Sequence, residues 1–310
     1  MTPSLAELAR LLRAIDDGDP HAIAEARLGR ARRVATPVWA LSGPAGAGKS
    51  TLLGGLVAAL RAGGARVAVL AVDPSSPRSG GALLGDRLRL GALTDDPDVL
   101  FRSLATRGSN GGLSLAVAAS VDALCGAGFD VVLIETVGVG QSEVDVEAVA
   151  DAVAVVLAPG QGDDIQAMKA GLLEIADVLV VNKADRPGAA RLVAELSAMR
   201  ALSHDGRDVP VLATTATKLD GVGPLLELLQ RAGPRSKQLN ALARREAIAR
   251  RAGERARDFV LRWLQSEAGT QLLAAVQWSD ATLDDTAVEA LRAALAVAPE
   301  VDGATTTPGS

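Results

Sequence analysis

Apolar positions fall into two patterns along the chain. Near the start, Leu5, Leu8, Leu12 and Ile15 recur at helical spacing and share one face, and a second short helix is predicted over residues 21–33. From residue 38 the pattern changes to short, continuous apolar runs: VWALSG (38–43), RVAVLAVD (66–73), VVLI (131–134), AVAVVL (152–157), VLVV (178–181) and VPVLA (209–213). Runs this short, apolar on both faces, suit the buried strands of a parallel sheet. Helix-like segments, the first over 49–61, lie between most of them. Strands alternating with helices predict an α/β fold with a doubly wound, mostly parallel sheet, whose ligand sits at the carboxyl ends of the strands.

After residue 231 the pattern changes again. RAGPRSK reads as a linker, residues 237–265 as a helical run ending in Phe259, Val260, Leu261, Trp263 and Leu264, and 283–297 as a further helix. The expected division is therefore an N-terminal helical extension (1–34), an α/β domain (35–232), a C-terminal helical arm (233–300) and a disordered tail (301–310). The large apolar groups of the arm, with Trp278, predict a partner surface, and packing on the α/β domain is the competing expectation.

Composition narrows the function classes. A net charge of −5 makes no case for a nucleic acid as main partner. The single Cys125 excludes internal disulfides and a multi-cysteine metal cage, and it fits a reducing compartment. No run is long enough to span a bilayer and no signal peptide is indicated, so a cytoplasmic protein without a membrane partner is expected. Lysine is scarce, five against 27 arginines, yet Lys49, Lys169 and Lys183 all fall inside the motifs below.

GPAGAGKST (43–51) matches G-x-x-x-x-G-K-[ST] between a predicted strand and a predicted helix. Gly43, Pro44, Ala45, Gly46, Ala47 and Gly48 would wrap backbone N–H groups around a phosphate, with Lys49 on the β- and γ-oxygens. Ser50 would offer its hydroxyl to Mg²⁺, and Thr51 closes the motif as a further nucleotide-binding candidate. NKAD, which contains Asn182, Lys183 and Asp185, follows the strand VLVV and matches the guanine-reading N-K-x-D. The Asp185 carboxylate can accept from guanine N1–H and N2–H₂, a donor pair that adenine lacks, so GTP and GDP are expected over ATP. TTATKLDGVG after the last strand resembles a base-backing loop, and Thr215, Ala216 and Thr217 would hold the far side of the guanine through backbone N–H groups.

Glu135 ends the strand FDVVLI, an expensive place for a carboxylate unless it is paired. Its expected partner is a hydrated Mg²⁺, and Gly138 in E-T-V-G would donate its N–H to the γ-phosphate. A Glu capping a following helix is the plainer alternative. Asp73, at the end of RVAVLAVD, and Asp86, in a Gly-rich segment, are further metal candidates, against a strand-end turn and a solvated loop charge. Lys49, Glu135 and Gly138 are the catalytic candidates. Asp163, Asp164, Gln166 and Lys169 crowd the loop after AVAVVL and read either as a nucleotide-sensing switch or as a helix cap. Val139 follows Gly138 where a catalytic Gln would stand, so slow hydrolysis stimulated by a partner is expected.

These segments, together with VDPSSPRSGGALLGDRLRL, LATRGSNGGLS, IETVGVGQSEVDV and APGQGDDIQAMKAGLLEIADVLVVNKAD, resemble the MeaB/ArgK-type GTPases, the methylmalonyl-CoA mutase-associated G proteins. The likeness runs in unbroken order over about residues 35–232. Ser79, Arg87 and Asn110 depart from the pattern, where Thr, Lys and Leu are usual. The resemblance implies a P-loop GTPase that dimerises through its C-terminal arm and acts as a chaperone for an adenosylcobalamin-dependent acyl-CoA mutase such as methylmalonyl-CoA mutase. It would gate cofactor loading and protect the mutase, with GTP hydrolysis as the timing step. It further implies that Asp73, Asp86 and Glu135 form the acidic Mg²⁺ environment and that residues 161–169 are a switch facing the partner. A cobalamin adenosyltransferase stays open as a further partner. Three alternatives stand beside it: a nickel or cobalt metallochaperone GTPase, an ArgK-type protein kinase, and a module that holds GTP without turnover. The metallochaperone is opposed by the scarcity of Cys and His, with one Cys125 and only His21 and His204. The kinase is opposed by NKAD.

Overall fold

The computed structural model describes residues 3–29, 35–73, 96–105, 112–136, 149–160, 175–201, 208–232, 264–267 and 270–271. The chain divides into two units, Met1–Arg244 and Arg245–Ser310. The first contains α1 (Leu5–Asp16), α2 (Pro20–Ala26), β1 (Val38–Ser42), α3 (Lys49–Ala62), β2 (Val67–Asp73), β3 (Val99–Ala105), α4 (Gly112–Gly126), β4 (Val131–Thr136), β5 (Ala152–Leu157), β6 (Val178–Val181), α5 (Ala189–Ala201), β7 (Val211–Ala213) and α6 (Val222–Ala232). In the second unit, the described residues include Ser266, whose carbonyl accepts from the Thr270 N–H at 2.9 Å. The dimerisation expectation rests on Phe259, Trp263, Leu264 and Trp278, of which Phe259, Trp263 and Trp278 lie outside the described residues.

Seven strands form one sheet in the order β3-β2-β4-β1-β5-β6-β7, and every pairing is parallel. The sheet is buried on both faces, which is why its central strands read as unbroken apolar runs. One face carries Trp39, Leu41, Leu133 and Val156 against Leu52, Leu56 of α3 and Leu225, Leu229 of α6. The other carries Val38, Ala40, Val132 and Ile134 against Leu124 of α4 and Leu192, Leu196 of α5. The N-terminal helices join this second core: Leu8, Leu12, Ile15, Ala22 and Ala26 are buried in the same cluster as Leu124 and Phe129. The N-terminal extension thus covers α4 and lies within the first compact unit.

Local chemistry sets the ends of these helices. Ser4 and Glu7 form a capping box at α1, with the Glu7 carboxylate accepting from the Ser4 N–H at 2.8 Å. Asp19 caps α2, whose first residue is Pro20. The second helix ends earlier than its apolar pattern suggests, because the chain then crosses α4 at Gly29. A Cβ on Gly29 would lie 2.0 Å from the Asp122 carbonyl oxygen, and one on Gly126 would lie 2.8 Å from the Gly29 Cα.

Three aspartates fix the register at the amino-terminal edge. Each immediately precedes a strand and clamps one residue in, or just before, the neighbouring strand through both of that residue's backbone groups. The Asp130, Asp151 and Asp177 carboxylates accept from the N–H groups of Arg66, Val38 and Val153, each at 2.8 Å. Their own N–H groups donate to the carbonyls of the same three residues at 2.9, 2.6 and 2.8 Å. Strands locked at one edge emerge at the other with their ends in fixed relation, and the candidate site is built there.

Two strands differ from the sequence expectation. β3 is absent from the predicted set, because Arg102 and Ser103 interrupt its apolar run. It is an edge strand, paired along its whole length to β2 and needing less apolar burial than the centre of the sheet. β7 begins at Val211 because Pro210 has no N–H to contribute to a ladder, although its carbonyl still accepts from the Leu179 N–H. Among the described residues, no helix is long and apolar enough to cross a membrane.

Candidate nucleotide site

The loop between β1 and α3 is held open by its glycines. Gly43 has φ 134°, and a Cβ there would meet the Val156 carbonyl oxygen of β5 at 2.1 Å. Gly48 sits in the left-handed region at φ 94°, and its Cβ would strike the Asn182 Nδ2 at 2.3 Å. Any larger residue at either place would break the loop or push away the element that supports it. α3 then starts without a side-chain cap, so its first N–H groups face the loop and make an anion-binding end.

Lys49 is buried, and its Nζ donates to the Gly43 carbonyl at 2.7 Å and the Pro44 carbonyl at 2.9 Å. A phosphate entering the loop meets an ammonium that the protein has already desolvated and aimed. Ser50 follows on the first turn of α3. Its hydroxyl donates to Glu135 Oε1 at 2.6 Å, a short charge-assisted bond. The carboxylate at the strand tip therefore has a protein partner across the two central strands, and the residue is only 7% exposed. Its position follows from register: Glu135 pairs with Leu41 of β1 on one side and Ala71 of β2 on the other.

A serine hydroxyl and a carboxylate converging beside a phosphate loop are hard oxygen donors, the kind Mg²⁺ accepts alongside phosphate and water. The residues thus fit a Mg²⁺ ion, which Ser50 and Glu135 would hold. Asp73 ends β2 at the same edge of the sheet. Among the described residues no three His, Cys, Asp or Glu side chains converge as a metal cage. Asp86, Gly138, Asp163, Asp164, Gln166 and Lys169 lie outside the described residues, as does the side chain of Asp73.

The base side is organised by Asn182, which is 2% exposed. Its Nδ2 donates to the Ala47 carbonyl of the phosphate loop at 2.9 Å. Its Oδ1 accepts from the Thr214 hydroxyl and from the Ala216 N–H, each at 3.1 Å. One amide thus fastens the phosphate loop to the loop after β7. Lys183 adopts the left-handed conformation, φ 57°, and its ammonium donates to the Gly46 carbonyl. Asp185 stays accessible at 44%, with the Lys218 ammonium 3.7 Å from its carboxylate.

The loop after β7 closes partly on itself. Thr215, Ala216 and Thr217 are the residues expected to present N–H groups to a base. The Thr215 N–H instead donates to the Asp220 carbonyl at 3.0 Å, and that of Ala216 to Asn182. A tight 3₁₀ turn (Ala216–Lys218) directs both inward, so these two residues position the loop. Thr214 and Lys218 enter the site although their residue types gave no signal. Each is recognisable only by lying beside Asn182 or Asp185 in space.

A family described as methylmalonyl Co-A mutase-associated GTPase MeaB matches residues 9–275. A protein of Pyrococcus horikoshii named as a GTPase is 50% identical over 195 residues, which are 61% of this chain and 62% of that protein. A protein of Nocardia farcinica named as a fused isobutyryl-CoA mutase is 40% identical over 240 residues, 74% of this chain but 22% of the relative. The chain spans about three fifths of the length of the first curated relatives it matches, 62, 60 and 59%. Among solved structures, one titled as a LAO/AO transport system kinase shares the fold, with a TM-score of 0.59 at 24% identity over 96% of this chain and 99% of that one. With the family match running through the sheet, the phosphate loop and the base loop, the chain belongs to the methylmalonyl Co-A mutase-associated GTPase MeaB family.

Proposed function

We propose that this protein hydrolyses GTP with Mg²⁺ and uses the cycle to gate adenosylcobalamin loading and protection of an acyl-CoA mutase. The observation that supports the nucleotide assignment is the Asn182 fastening, which ties the phosphate loop to the loop after β7, beside the Asp185 that would read guanine. Lys49 would bind and orient the β- and γ-phosphates, and the first N–H groups of α3 would neutralise their charge. Ser50 and Glu135 would hold Mg²⁺, which would supply neutralisation of phosphate charge when bound. Val139, where a catalytic Gln is expected, supports a slow basal rate.

The mutase assignment draws on the relative named as a fused isobutyryl-CoA mutase, in which a segment similar to this chain occupies 22% of the length. A second relative, 45% identical over 145 residues, is the mouse protein named methylmalonic aciduria type A homolog. Dimerisation through residues 233–300 and contact with a cobalamin adenosyltransferase rest on the family resemblance. In the test, phosphate release is measured with and without an adenosylcobalamin-dependent acyl-CoA mutase. Stimulation by the mutase is expected; binding that leaves the rate unchanged would remove the coupling.

Nucleotide choice gives a separate expectation. Asp185→Asn should weaken GDP binding by at least roughly tenfold and improve xanthosine diphosphate binding, because the amide reverses one donor–acceptor pair. Calorimetry with both diphosphates reads this directly. Equal affinity of the wild type for ADP and GDP would overturn the guanine assignment.

A further inference from the structure

We propose that the buried hydroxyl pair Ser42–Thr136 is a positioning latch that holds the Glu135 carboxylate at its distance from Ser50. The inference rests on the GTPase reading above and concerns how its metal side is kept in place.

The β1–β4 backbone ladder ends at the pair Leu41↔Glu135. One residue further, each strand is paired to a different neighbour, Ser42 to Val155 of β5 and Thr136 to Val72 of β2. At that step the strands are joined by side chains instead: the Thr136 hydroxyl donates to the Ser42 hydroxyl oxygen at 3.1 Å. Both residues are sealed from solvent, at 1 and 0% exposure. They continue the face that carries Ala40 and Ile134, which is apolar. A hydroxyl placed there costs stability unless it is bonded, whereas Ala or Val would carry no such cost.

The position gives the pair its lever. Ser42 is the last residue before Gly43, whose carbonyl receives the Lys49 ammonium. Thr136 is the residue after Glu135, which receives the Ser50 hydroxyl on the opposite face of the sheet. The latch therefore joins the root of the phosphate loop to the root of the metal-facing carboxylate at the point where the strands lose their direct backbone bonds. Both hydroxyls lie on the face of the sheet opposite Glu135 and Ser50, so the pair acts through the strand ends that carry Glu135 and the loop.

The full-length protein tests this with fluorescent GDP. Release is followed over a Mg²⁺ titration and, separately, in EDTA. Thr136→Val should require roughly fivefold more Mg²⁺ for half-maximal slowing of release, with affinity in EDTA kept within about twofold, as expected from losing one net buried hydrogen bond. Thr136→Ser, which keeps the hydroxyl, should restore the Mg²⁺ dependence. Ser42→Ala removes the other half of the pair and should give the same shift, which decides the matter if Thr136→Val does not fold. A Mg²⁺ midpoint unchanged in the folded variants overturns the latch. So does an equal loss of affinity with and without Mg²⁺, which would mark a general packing defect. Wild-type protein whose GDP release ignores Mg²⁺ would overturn the proposed metal-dependent GTPase itself.

Discussion

Lys49→Ala is expected to lower kcat/KM for GTP by roughly 30- to 1,000-fold, equivalent to about 2–4 kcal/mol of lost charge-assisted binding to the phosphates. The magnitude follows from the burial of Lys49, which is 5% exposed and whose ammonium is held by the Gly43 and Pro44 carbonyls. Its charge acts on a phosphate with little water between them, so screening is weak. Lys49→Arg should not rescue activity, because a planar guanidinium cannot take the place of a compact ammonium between two carbonyls. Single-turnover phosphate release and calorimetry with GTP provide the measurement. Turnover of the alanine variant close to wild type would take Lys49 out of the phosphate site.

Asn182→Ala should strike stability and nucleotide binding together. The side chain makes four bonds from a buried position, to Ala47 and, at 3.5 Å, Gly48 of the phosphate loop and to Thr214 and Ala216 of the base loop. Its removal leaves buried polar groups unpaired at a cost of about 2–4 kcal/mol. For a unit of this size the melting midpoint should fall by roughly 5–15 °C. GDP affinity should fall as well, because phosphate and base loops would no longer share a fastener. Asn182→Asp separates the two halves of the argument. It keeps an acceptor for Thr214 and Ala216 but sets a carboxylate oxygen against the Ala47 carbonyl, so the phosphate side should suffer most. A wild-type melting midpoint in Asn182→Ala would show that these bonds are not net contributors.

Much of the fold was legible because burial on both faces of a parallel sheet leaves an unmistakable trace. β1, β2, β4, β5 and β6 each appear as an apolar run within a residue or two of their observed ends. The phosphate loop was legible for a related reason. Gly43, Gly48, Lys49 and Ser50 must stand at fixed offsets, since a backbone that curls around a phosphate allows few residue types at few places. β3 was not legible, because an edge strand tolerates Arg102 and Ser103 and so loses the apolar signature.

Which residues meet was decided by the tertiary structure. Ser50 and Glu135 are 85 positions apart, and their 2.6 Å bond exists because β4 lies beside β1 in the sheet order. The sequence by itself marked Glu135 as a carboxylate in need of a partner, and the strand order supplied Ser50. Asn182 was marked as one letter of a base-reading motif, while its actual bonds join two loops and enclose the side chain. The aspartate clamps at Asp130, Asp151 and Asp177 show the same division. Each is an ordinary polar residue before a strand until the neighbouring strand brings a backbone N–H to it. Local chemistry, the freedom of glycine and the apolar runs determined the elements and the loop. Long-range register determined the pairings, because hydrogen bonds between residues far apart in the chain form only after the sheet has fixed which strands are neighbours.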